Sequence, residues 1–523
     1  MSNRMIAKAA VLLLIISIVA RLLGFVREQV IAAFFGTSML TDAYVMGLTL
    51  PNLVCVIIGG ALATAFVPVI TEQLSAGKQA EAEKTASSVM NLTILGLLII
   101  TAAGIVFAPF LTRLIAVGFN EKALSLTVLM TQILFPTAVF LSIAGLIGGL
   151  LNSMKHFAAP ALGSVIYSFV IILGMFLCAR QFGIAGLAMA TVAATLAQII
   201  IQLPVVKKKG FHYSPFVFDL KDPGVRKVGR LMLPAMLSTS VAQIYVTIDR
   251  ILASMLATGS IAALNFASKL TMLPFNLFVV TVNTAVFPFL SELAAKKNYK
   301  DLGETTGFGL ILISLFTIPS AVGIAVLATP LVRVLFEHGA FNAESTRMTA
   351  YAMEFFAVGL FAQGVYNVLN RSFFALQDTK TPLYISLFVV LLNLAFSLLL
   401  IGPLKHGGLA LANSLASTCN MILAYWFLRR RIPLPDKMIF VSVAKLLVAS
   451  ACMGVTVFIS HWVLVHFWAS QRLGPAAVQL SICIIIGLVV YAVVVLLLKI
   501  EAVETYKHKL LKKKNRNSGG EAA

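Results

Sequence analysis

Two arginines and a glutamate lie in the middle of the first long apolar stretch of the chain, Ile6 to Phe35. Arg21, Arg27 and Glu28 belong to the segment Arg-Leu-Leu-Gly-Phe-Val-Arg-Glu. In an α-helix, this stretch would place Arg21 about 22 Å from one end and about 21 Å from the other. Charged groups at that depth of a bilayer are costly unless they face a water-filled cavity or a charged ligand. The pattern therefore predicts a cationic chamber that binds an anion.

A simpler interpretation exists for one of these arginines. The side chain of Arg27 could extend to the membrane interface and pair with Glu28. Arg21 has no interface within reach, so the same explanation does not serve for it. Gly24 lies between the two arginines and marks a position where the helix could bend along a cavity.

Further ionisable residues inside apolar stretches extend the candidate site. Asp42 begins the second stretch, and Lys269 lies about ten residues into another, with no acid beside it in the sequence. Asp249 and Arg250 are adjacent, so a local ion pair without a transport role explains them as well as a place in the chamber does. Arginine offers forked donors and lysine a point charge, a combination that suits a phosphate or diphosphate.

The composition is that of a membrane protein. The chain has 523 residues, of which 59% are hydrophobic and only 11% are charged, with a mean hydropathy of +0.96. Soluble domains carry about 25% charged residues. The charged N-terminus runs into an apolar stretch without a small-residue cleavage site, which indicates a retained helix. The five cysteines lie in apolar stretches without a CxxC spacing, so we expect no disulfide, metal or cofactor.

The apolar stretches predict fourteen membrane-spanning helices, and the basic residues predict their orientation. With the N-terminus in the cytoplasm, the inner segments hold 28 Lys and Arg and the outer segments hold 7. This bias predicts that both chain ends are cytoplasmic. The net charge of +20 then faces anionic membrane lipids rather than nucleic acid. The predicted spans are 6–34, 42–72, 88–112, 123–152, 158–179, 184–206, 228–256, 259–293, 304–329, 345–371, 381–402, 407–428, 438–468 and 474–499.

The chain contains an internal repeat. The segment Thr64–Glu72 matches Thr284–Glu292, and Gly186–Ala190 matches Gly408–Ala412 at almost the same spacing. This spacing, the repeat offset, corresponds to six predicted spans, an even number, so both repeats have the same orientation. Parallel repeats about an axis along the membrane normal are typical of transporters with a central site. We therefore predict an all-α protein with two six-helix lobes and two additional C-terminal helices.

This architecture predicts five regions. An N-terminal lobe covers 1–206, and a basic cytoplasmic linker covers 207–227. A C-terminal lobe covers 228–430, the last two spans lie within 431–499, and a basic cytoplasmic tail covers 500–523. The chain has no Walker-type lysine loop, no HExxH and no nucleophile elbow. These absences favour a transporter over an enzyme.

Several motifs resemble one family in their order along the chain. The motifs are Arg21-Leu-Leu-Gly-Phe-Val-Arg27-Glu28, Thr41-Asp42-Ala-Tyr, Leu50-Pro51-Asn52-Leu, Ala65-Phe-Val-Pro68, Pro330-Leu-Val-Arg-Val-Leu-Phe-Glu-His-Gly-Ala-Phe341 and Phe373-Phe-Ala-Leu-Gln-Asp378-Thr-Lys-Thr-Pro382. Together they resemble the MurJ/MviN lipid II flippases of the MOP exporter superfamily, which has a MATE-like fold.

The resemblance implies a cargo and roles for individual residues. The cargo would be lipid II, the undecaprenyl-diphosphate-linked peptidoglycan precursor, moved to the outer leaflet of the bacterial cytoplasmic membrane by alternating access. Arg21 and Arg27 would bind its diphosphate, and Lys269 takes the position of a family arginine. Glu28 would position Arg27, and Asp42 would serve at the outer gate. The lipid tail would follow the last two spans, and cell-wall synthesis enzymes are candidate partners.

The chain departs from the family pattern in the second span. Val54-Cys55 stands where the family usually has basic residues, and Gly59-Gly60-Ala61 replaces its Gly-Glu-Gly-Ala element. A flippase for another polyprenyl-diphosphate oligosaccharide is therefore an alternative. A MATE-type drug or cation antiporter would require intramembrane carboxylates, whereas these spans are richer in basic residues. A third alternative is a cell-wall scaffold in which the charged cluster is a structural ion-pair network.

Overall fold

The computed structural model describes residues 3–467 and 473–499, and within these ranges it contains helices and no strand. The prediction of an all-α fold is confirmed. The predicted basic tail, 500–523, lies outside the described residues. The first eleven α-helices are α1 Asn3–Phe35, α2 Met39–Gly47, α3 Thr49–Val54, α4 Ala61–Ser75, α5 Gln79–Val106, α6 Ala108–Ile115, α7 Glu121–Leu134, α8 Pro136–Ser153, α9 Ala158–Gly174, α10 Arg180–Phe182 and α11 Ile184–Lys208. The remaining nine are α12 Pro223–Ser254, α13 Ser260–Pro274, α14 Val280–Ala295, α15 Tyr299–Val326, α16 Ala328–Phe336, α17 Ala343–Ala375, α18 Lys380–Arg429, α19 Asp436–Phe467 and α20 Leu473–Leu497.

Twelve helical stretches of the described chain are long and apolar enough to cross a membrane. One of them, α18, has 50 residues and contains a non-helical residue, Lys405, at φ 51° and ψ −129°. This break falls between two predicted spans, 381–402 and 407–428. The chain is a multi-pass membrane protein, and the count of fourteen spans stays a prediction.

Unusual backbone conformations recur at the repeat offset. Left-handed φ angles occur at Gly77 and Lys297, which have the same separation as Thr64 and Thr284. Gly183 (φ 55°, ψ −134°) has almost the same conformation as Lys405, which follows it at the spacing of Gly186 and Gly408. Because residues with side chains rarely adopt positive φ, the recurrence reflects the same local fold rather than similar composition.

The helix bounds and two π-helical turns repeat in the same way. Helices α5 and α15 each have 28 residues, and their first residues are separated by the repeat offset. The π-helical turns Cys55–Gly60 and Phe275–Val279 also begin one repeat offset apart. Turns of this kind are rare and often lie at functional sites. The repeat is therefore present in the backbone as well as in the sequence.

The chain divides into two compact units. Unit 1 contains residues 3–262 together with His338–Asn342, and unit 2 contains 263–337 and the described residues from Ala343 onward. Unit 1 has an apolar core in which Phe66 and Ile70 of α4 pack with Leu146 and Leu150 of α8. Helix α12, predicted as the first span of the C-terminal lobe, belongs to unit 1. The predicted lobe limits stay predictions.

Unit 2 has its own apolar core and satisfies buried hydroxyls locally. Leu310 of α15 packs with Leu369 and Phe373 of α17 in this core. The Thr306 hydroxyl donates to the carbonyl of Leu302 one turn earlier, at 2.8 Å. Since no water hydrates a bilayer core, such internal bonds allow polar side chains to be buried there.

The segment 209–222 is fixed to α5 by hydrogen bonds. The Asn91 amide nitrogen donates to the carbonyls of Ser214 and Val217, each at 2.9 Å. The Tyr213 hydroxyl donates to the Asn91 side-chain oxygen. The Thr85 hydroxyl donates to Asp222 at 2.9 Å, and Asp222 also accepts from the amide of Val225 at the start of α12. The predicted linker is thus an ordered strap within unit 1.

Candidate functional site

The charged centre of the site is an ion pair on α1. Arg27 Nη2 donates to Glu28 Oε1 at 2.6 Å, and Glu28 is only 8% exposed. The Arg27 guanidinium also lies over the ring of Tyr167 on α9, 5.2 Å from its centroid. A cation placed over an aromatic face is attracted by the ring quadrupole. The predicted pairing of Arg27 with Glu28 is therefore present, and it lies among packed helices.

Arg21 and Gly24 occupy other faces of the same helix. Arg21 is six residues before Arg27, so it lies about 9 Å along the axis and about 120° around it. The residue is exposed, whereas Arg27 is mostly buried. Helix α1 is continuous through Gly24, and a β-carbon there would meet the hydroxyl of Ser168 on α9 at 4.0 Å. Gly24 thus faces the helix that holds Tyr167.

Asp42 accepts hydrogen bonds from the start of another helix. Its side chain is buried, with 3% exposed, and accepts from the backbone amides of Gly259 and Ala262. The bond from Ala262 measures 2.8 Å. These amides belong to the first turn of α13 and the residue before it, where backbone N–H groups have no intrahelical partner. A carboxylate placed there also interacts favourably with the helix dipole.

Arg250 contacts α3 in unit 1. Its Nη1 atom donates to the hydroxyl of Thr49 at 3.0 Å. Thr49 is buried and lies before the π-helical turn Cys55–Gly60. Asp249 is on the same helix as Arg250. The contact with Thr49 fixes the position of the arginine against the second predicted span.

Lys269 lies in unit 2. It is the tenth residue of α13 and has an exposed side chain, whereas its neighbours Ala267 and Leu270 are buried. The Lys269 side chain therefore points away from the packed side of the helix. The structure brings Arg27 and Glu28 together, and it places Lys269 in a different unit from Arg21. The joint chamber stays a prediction.

Two contacts of the arginines were missed in the sequence. Tyr167 lies in an apolar stretch with no charge nearby, and Thr49 is one of many threonines in the spans. Both contact an arginine more than a hundred residues away in the chain. Only the packing of α9 on α1 and of α12 near α3 reveals them.

Unit 2 contains an apolar cavity of about 650 Å³. This volume is within the range of small-molecule sites in proteins, about 300–1,000 Å³. The resemblance described above implies that a lipid tail follows the last two spans, and α19 and α20 contribute to this cavity. Its lining includes Leu273, Phe278, Phe316, Met453, Leu488 and Tyr491.

A family model and named relatives cover most of the chain. The family model described as "Lipid II flippase MurJ" matches residues 31–478. A protein of Rickettsia prowazekii named "Probable lipid II flippase MurJ" is 30% identical over 499 residues, which cover 94% of this chain and 98% of that protein. The "Lipid II flippase MurJ" of Burkholderia cenocepacia is 29% identical, covering 88% of this chain and 90% of that protein.

Solved structures agree with these relatives. The structure titled "Lipid II flippase MurJ, inward closed conformation" has a TM-score of 0.78 and 26% identity, and the match covers 92% of this chain and 98% of that one. An inward-facing MATE-family multidrug resistance transporter of the MOP superfamily has a TM-score of 0.69 at 17% identity, covering 81% and 98%. The second likeness concerns the fold alone. The chain belongs to the MurJ family of lipid II flippases.

Proposed function

We propose that this chain carries lipid II from the inner to the outer leaflet by alternating access, without breaking a covalent bond. Arg21, Arg27 and Lys269 would bind the diphosphate of the lipid. The observation that carries this proposal is the Arg27 guanidinium, held by Glu28 and Tyr167 within a membrane helix. A guanidinium has five N–H donors, so a bond to Glu28 leaves others for phosphate oxygens.

Glu28 has a role in the empty state of the site. An arginine without a partner in a membrane is costly. Glu28 balances that charge until the cargo arrives, because its carboxylate is 2.6 Å from the guanidinium. A diphosphate can then compete with Glu28 for the same donors, because it carries two charged phosphate groups. If the state that is closed around the cargo binds the diphosphate more tightly than the open state does, this difference in affinity drives the conformational switch.

The lipid tail would occupy the apolar cavity of unit 2. A polyprenyl chain offers only apolar surface, and the cavity walls supply leucine, phenylalanine and methionine side chains. Residues of α19 and α20 line this cavity, so binding the lipid tail would be the role of the two helices that follow the predicted repeat. The head group would pass through the chamber that contains Arg21, Arg27 and Lys269, and the tail would remain in an apolar environment.

The orientation and location of the chain are part of the same proposal. We place it in the bacterial cytoplasmic membrane with both termini inside, on the strength of 28 basic residues in inner segments against 7 in outer ones. Enzymes that consume lipid II at the outer face are the expected functional partners. Asp42, which caps the start of α13 on the predicted outer side, would stabilise the outward-closed state.

The proposal is tested by outer-leaflet accessibility of lipid II in cells with this chain as their only flippase. We expect Arg27→Ala to lower exposure about ten- to a hundredfold, because a hydrogen bond to a charged group contributes about 1.5–3 kcal/mol. Arg27→Lys should restore part of the activity, since lysine lacks the fork. Arg347→Ala, at an exposed pair with Glu344, is the matched control. Wild-type activity in Arg27→Ala would refute the binding role.

A second arm identifies the cargo. The purified protein should bind lipid II more weakly when undecaprenyl diphosphate is added, because both compete for the same arginines. If an unrelated polyprenyl-diphosphate oligosaccharide is transported and lipid II is not, the diphosphate-binding role is retained and the assignment of lipid II as the cargo is wrong.

A further inference from the structure

Two short loops occupy equivalent positions in the two repeats. One loop, residues 337–342, joins α16 to α17, and the other, residues 116–120, joins α6 to α7. The segment His338–Asn342 of the first loop follows residues 116–120 at the spacing of Gly186 and Gly408 in the sequence repeat. Both segments lie on the predicted outer side of the membrane, and both belong to unit 1.

The first loop rests directly on the end of α1. The amide of Ala340 donates to the carbonyl of Ala33 at 2.7 Å. Gly339 has φ +60°, and a β-carbon there would lie less than 3.0 Å from the Ala33 carbonyl oxygen. A β-carbon at Gly36 would approach the Ala340 carbonyl just as closely. Phe341 is buried, with 1% exposed. The two backbones meet at a distance that only glycine allows.

The second loop makes the corresponding contact with the end of α12. The amide of Gly118 donates to the hydroxyl of Ser254 at 3.3 Å. A β-carbon at Gly118 would lie less than 3.0 Å from the Ser254 carbonyl oxygen and the Met255 backbone. The spacing between Ala33 and Met255 equals the spacing between the two loops. Met255 is therefore the repeat equivalent of Ala33, the residue that the first loop contacts. Each loop thus rests on the first long helix of the other repeat.

Side-chain bonds fix the ends of both loops. Glu337 accepts from the Thr346 hydroxyl at 2.6 Å and lies 3.7 Å from Arg333, so it ties the end of α16 to the start of α17. In the other repeat, Asn120 caps α7 by accepting from the amide of Ala123 at 2.9 Å. Loops with fixed ends lose little conformational freedom on docking, which favours a reversible contact.

We propose that residues 116–120 and His338–Asn342 are a pair of clasps, which hold the outer side closed and must leave the ends of α12 and α1 before it opens. This inference rests on the alternating access of the proposed function. The contacts consist of neutral hydrogen bonds and backbone packing, which are weaker than charged pairs and can be remade in every cycle. Two symmetric clasps make the closed arrangement one of two discrete states, as a transport switch requires.

Hydrogen exchange tests the clasp without any cargo. In lipid nanodiscs we expect slow exchange in the peptide that contains Ala340 and Phe341, because the Ala340 amide is bonded to Ala33. Gly339→Ala should accelerate that exchange at least about tenfold, a factor that corresponds to 1.4 kcal/mol. Gly77→Ala is the control, since Gly77 has φ +74° but no atom within 4 Å of a β-carbon. It introduces the same backbone strain without the contact.

The clasp is refuted if the wild-type peptide exchanges as fast as an unstructured loop. It is equally refuted if Gly339→Ala leaves the exchange unchanged. Gly118→Ala should accelerate exchange in residues 116–120 by the same mechanism. Should that variant fail to accumulate as folded protein, the Gly339→Ala comparison decides alone.

Reversible cross-linking tests whether the clasp must open. In a variant whose five free cysteines are replaced by serine, Ala33→Cys and Ala340→Cys are joined by a short bis-thiosulfonate linker. We expect lipid II exposure to stop on cross-linking and to return on reduction, while each single cysteine variant stays active. Transport by the cross-linked protein would overturn the proposal. If the reduced protein moves no lipid II, the cargo assignment fails, and the exchange measurement still decides on the clasp.

Discussion

Arg27 Nη2 lies 2.6 Å from Glu28 Oε1, although these residues are adjacent in a continuous helix. Side chains of adjacent helical residues leave the axis about 100° apart, so both must turn toward each other to meet. The Arg27 guanidinium reaches this position beside Tyr167. The ion pair is therefore held by the packing of α9 on α1 as well as by its charges.

The ion pair predicts that Glu28→Gln destabilises the protein. The substitution leaves the Arg27 charge in a mostly buried position without its counter-charge, and we expect a loss of about 1–3 kcal/mol. Glu28→Asp should retain most of the stability. Thermal unfolding in detergent measures the change. Glu344→Gln, at an exposed pair with Arg347, is the control and should unfold like the wild type.

Asp42 predicts a similar effect through a different contact. Asp42→Asn retains an acceptor but loses the charge that complements the start of α13, and we expect a loss of about 1–2 kcal/mol. Asp42→Ala should cost more, because the amides of Gly259 and Ala262 would lose their acceptor. Asp301→Asn, at the exposed start of α15, provides the control in the same unfolding assay. Equal stability of Asp42→Ala and the wild type would contradict the capping role.

Hydrophobic pattern and charge were sufficient to predict an all-α fold and the repeat. The predicted first span, 6–34, lies within α1, and the repeat offset recurs between the starts of α5 and α15. Local patterns identified Arg27 and Glu28 because a charge in an apolar stretch is conspicuous. Tyr167 was missed, because its role depends on which helix packs against α1. The strap along α5 was missed for the same reason, since its bonds join residues more than a hundred positions apart.

Asn91 predicts how firmly that strap is held. Asn91→Ala removes the side chain that donates to the carbonyls of Ser214 and Val217 and accepts from the Tyr213 hydroxyl. We expect the free energy of unfolding to fall by about 1–3 kcal/mol. Limited proteolysis should then cleave within 209–222 faster than in the wild type. Asn152→Ala is the control, because Asn152 is exposed on α8. An unchanged cleavage rate would show that other contacts hold the strap.

Asp378 predicts a pH-dependent contribution to stability. Burial alone would raise its pKa, but bonds from the hydroxyl and amide of Thr381, with Arg431 3.2 Å away, hold the pKa below its usual range. A carboxyl with a lowered folded pKa stabilises the protein above its unfolded pKa of about 3.9. That contribution is lost as the pH falls through the folded pKa.

The unfolding temperatures of the wild type and Asp378→Asn should therefore differ most near neutral pH. The difference should shrink as the pH falls below about 4, the unfolded pKa, and vanish below the lowered folded pKa, where the wild-type carboxyl also becomes neutral. A difference that stays constant over this range would mean that the charge of Asp378 contributes nothing. The comparison with asparagine keeps the shape of the side chain the same.

The apolar cavity of unit 2 predicts a variant that is defective for long lipid tails only. Gly323 lines the cavity, and a β-carbon there would have Met453 as its neighbour at 3.9 Å, so Gly323→Leu should fold while filling part of the space. We expect transport of undecaprenyl-linked cargo to fall about tenfold, equivalent to about 1.4 kcal/mol. Binding of a short-tailed analogue should be unchanged, because the diphosphate contacts lie elsewhere. Gly96→Leu adds the same side chain where no atom lies within 4 Å, and it should transport both lipids normally. Equal losses for long and short tails in Gly323→Leu would place the tail outside this cavity.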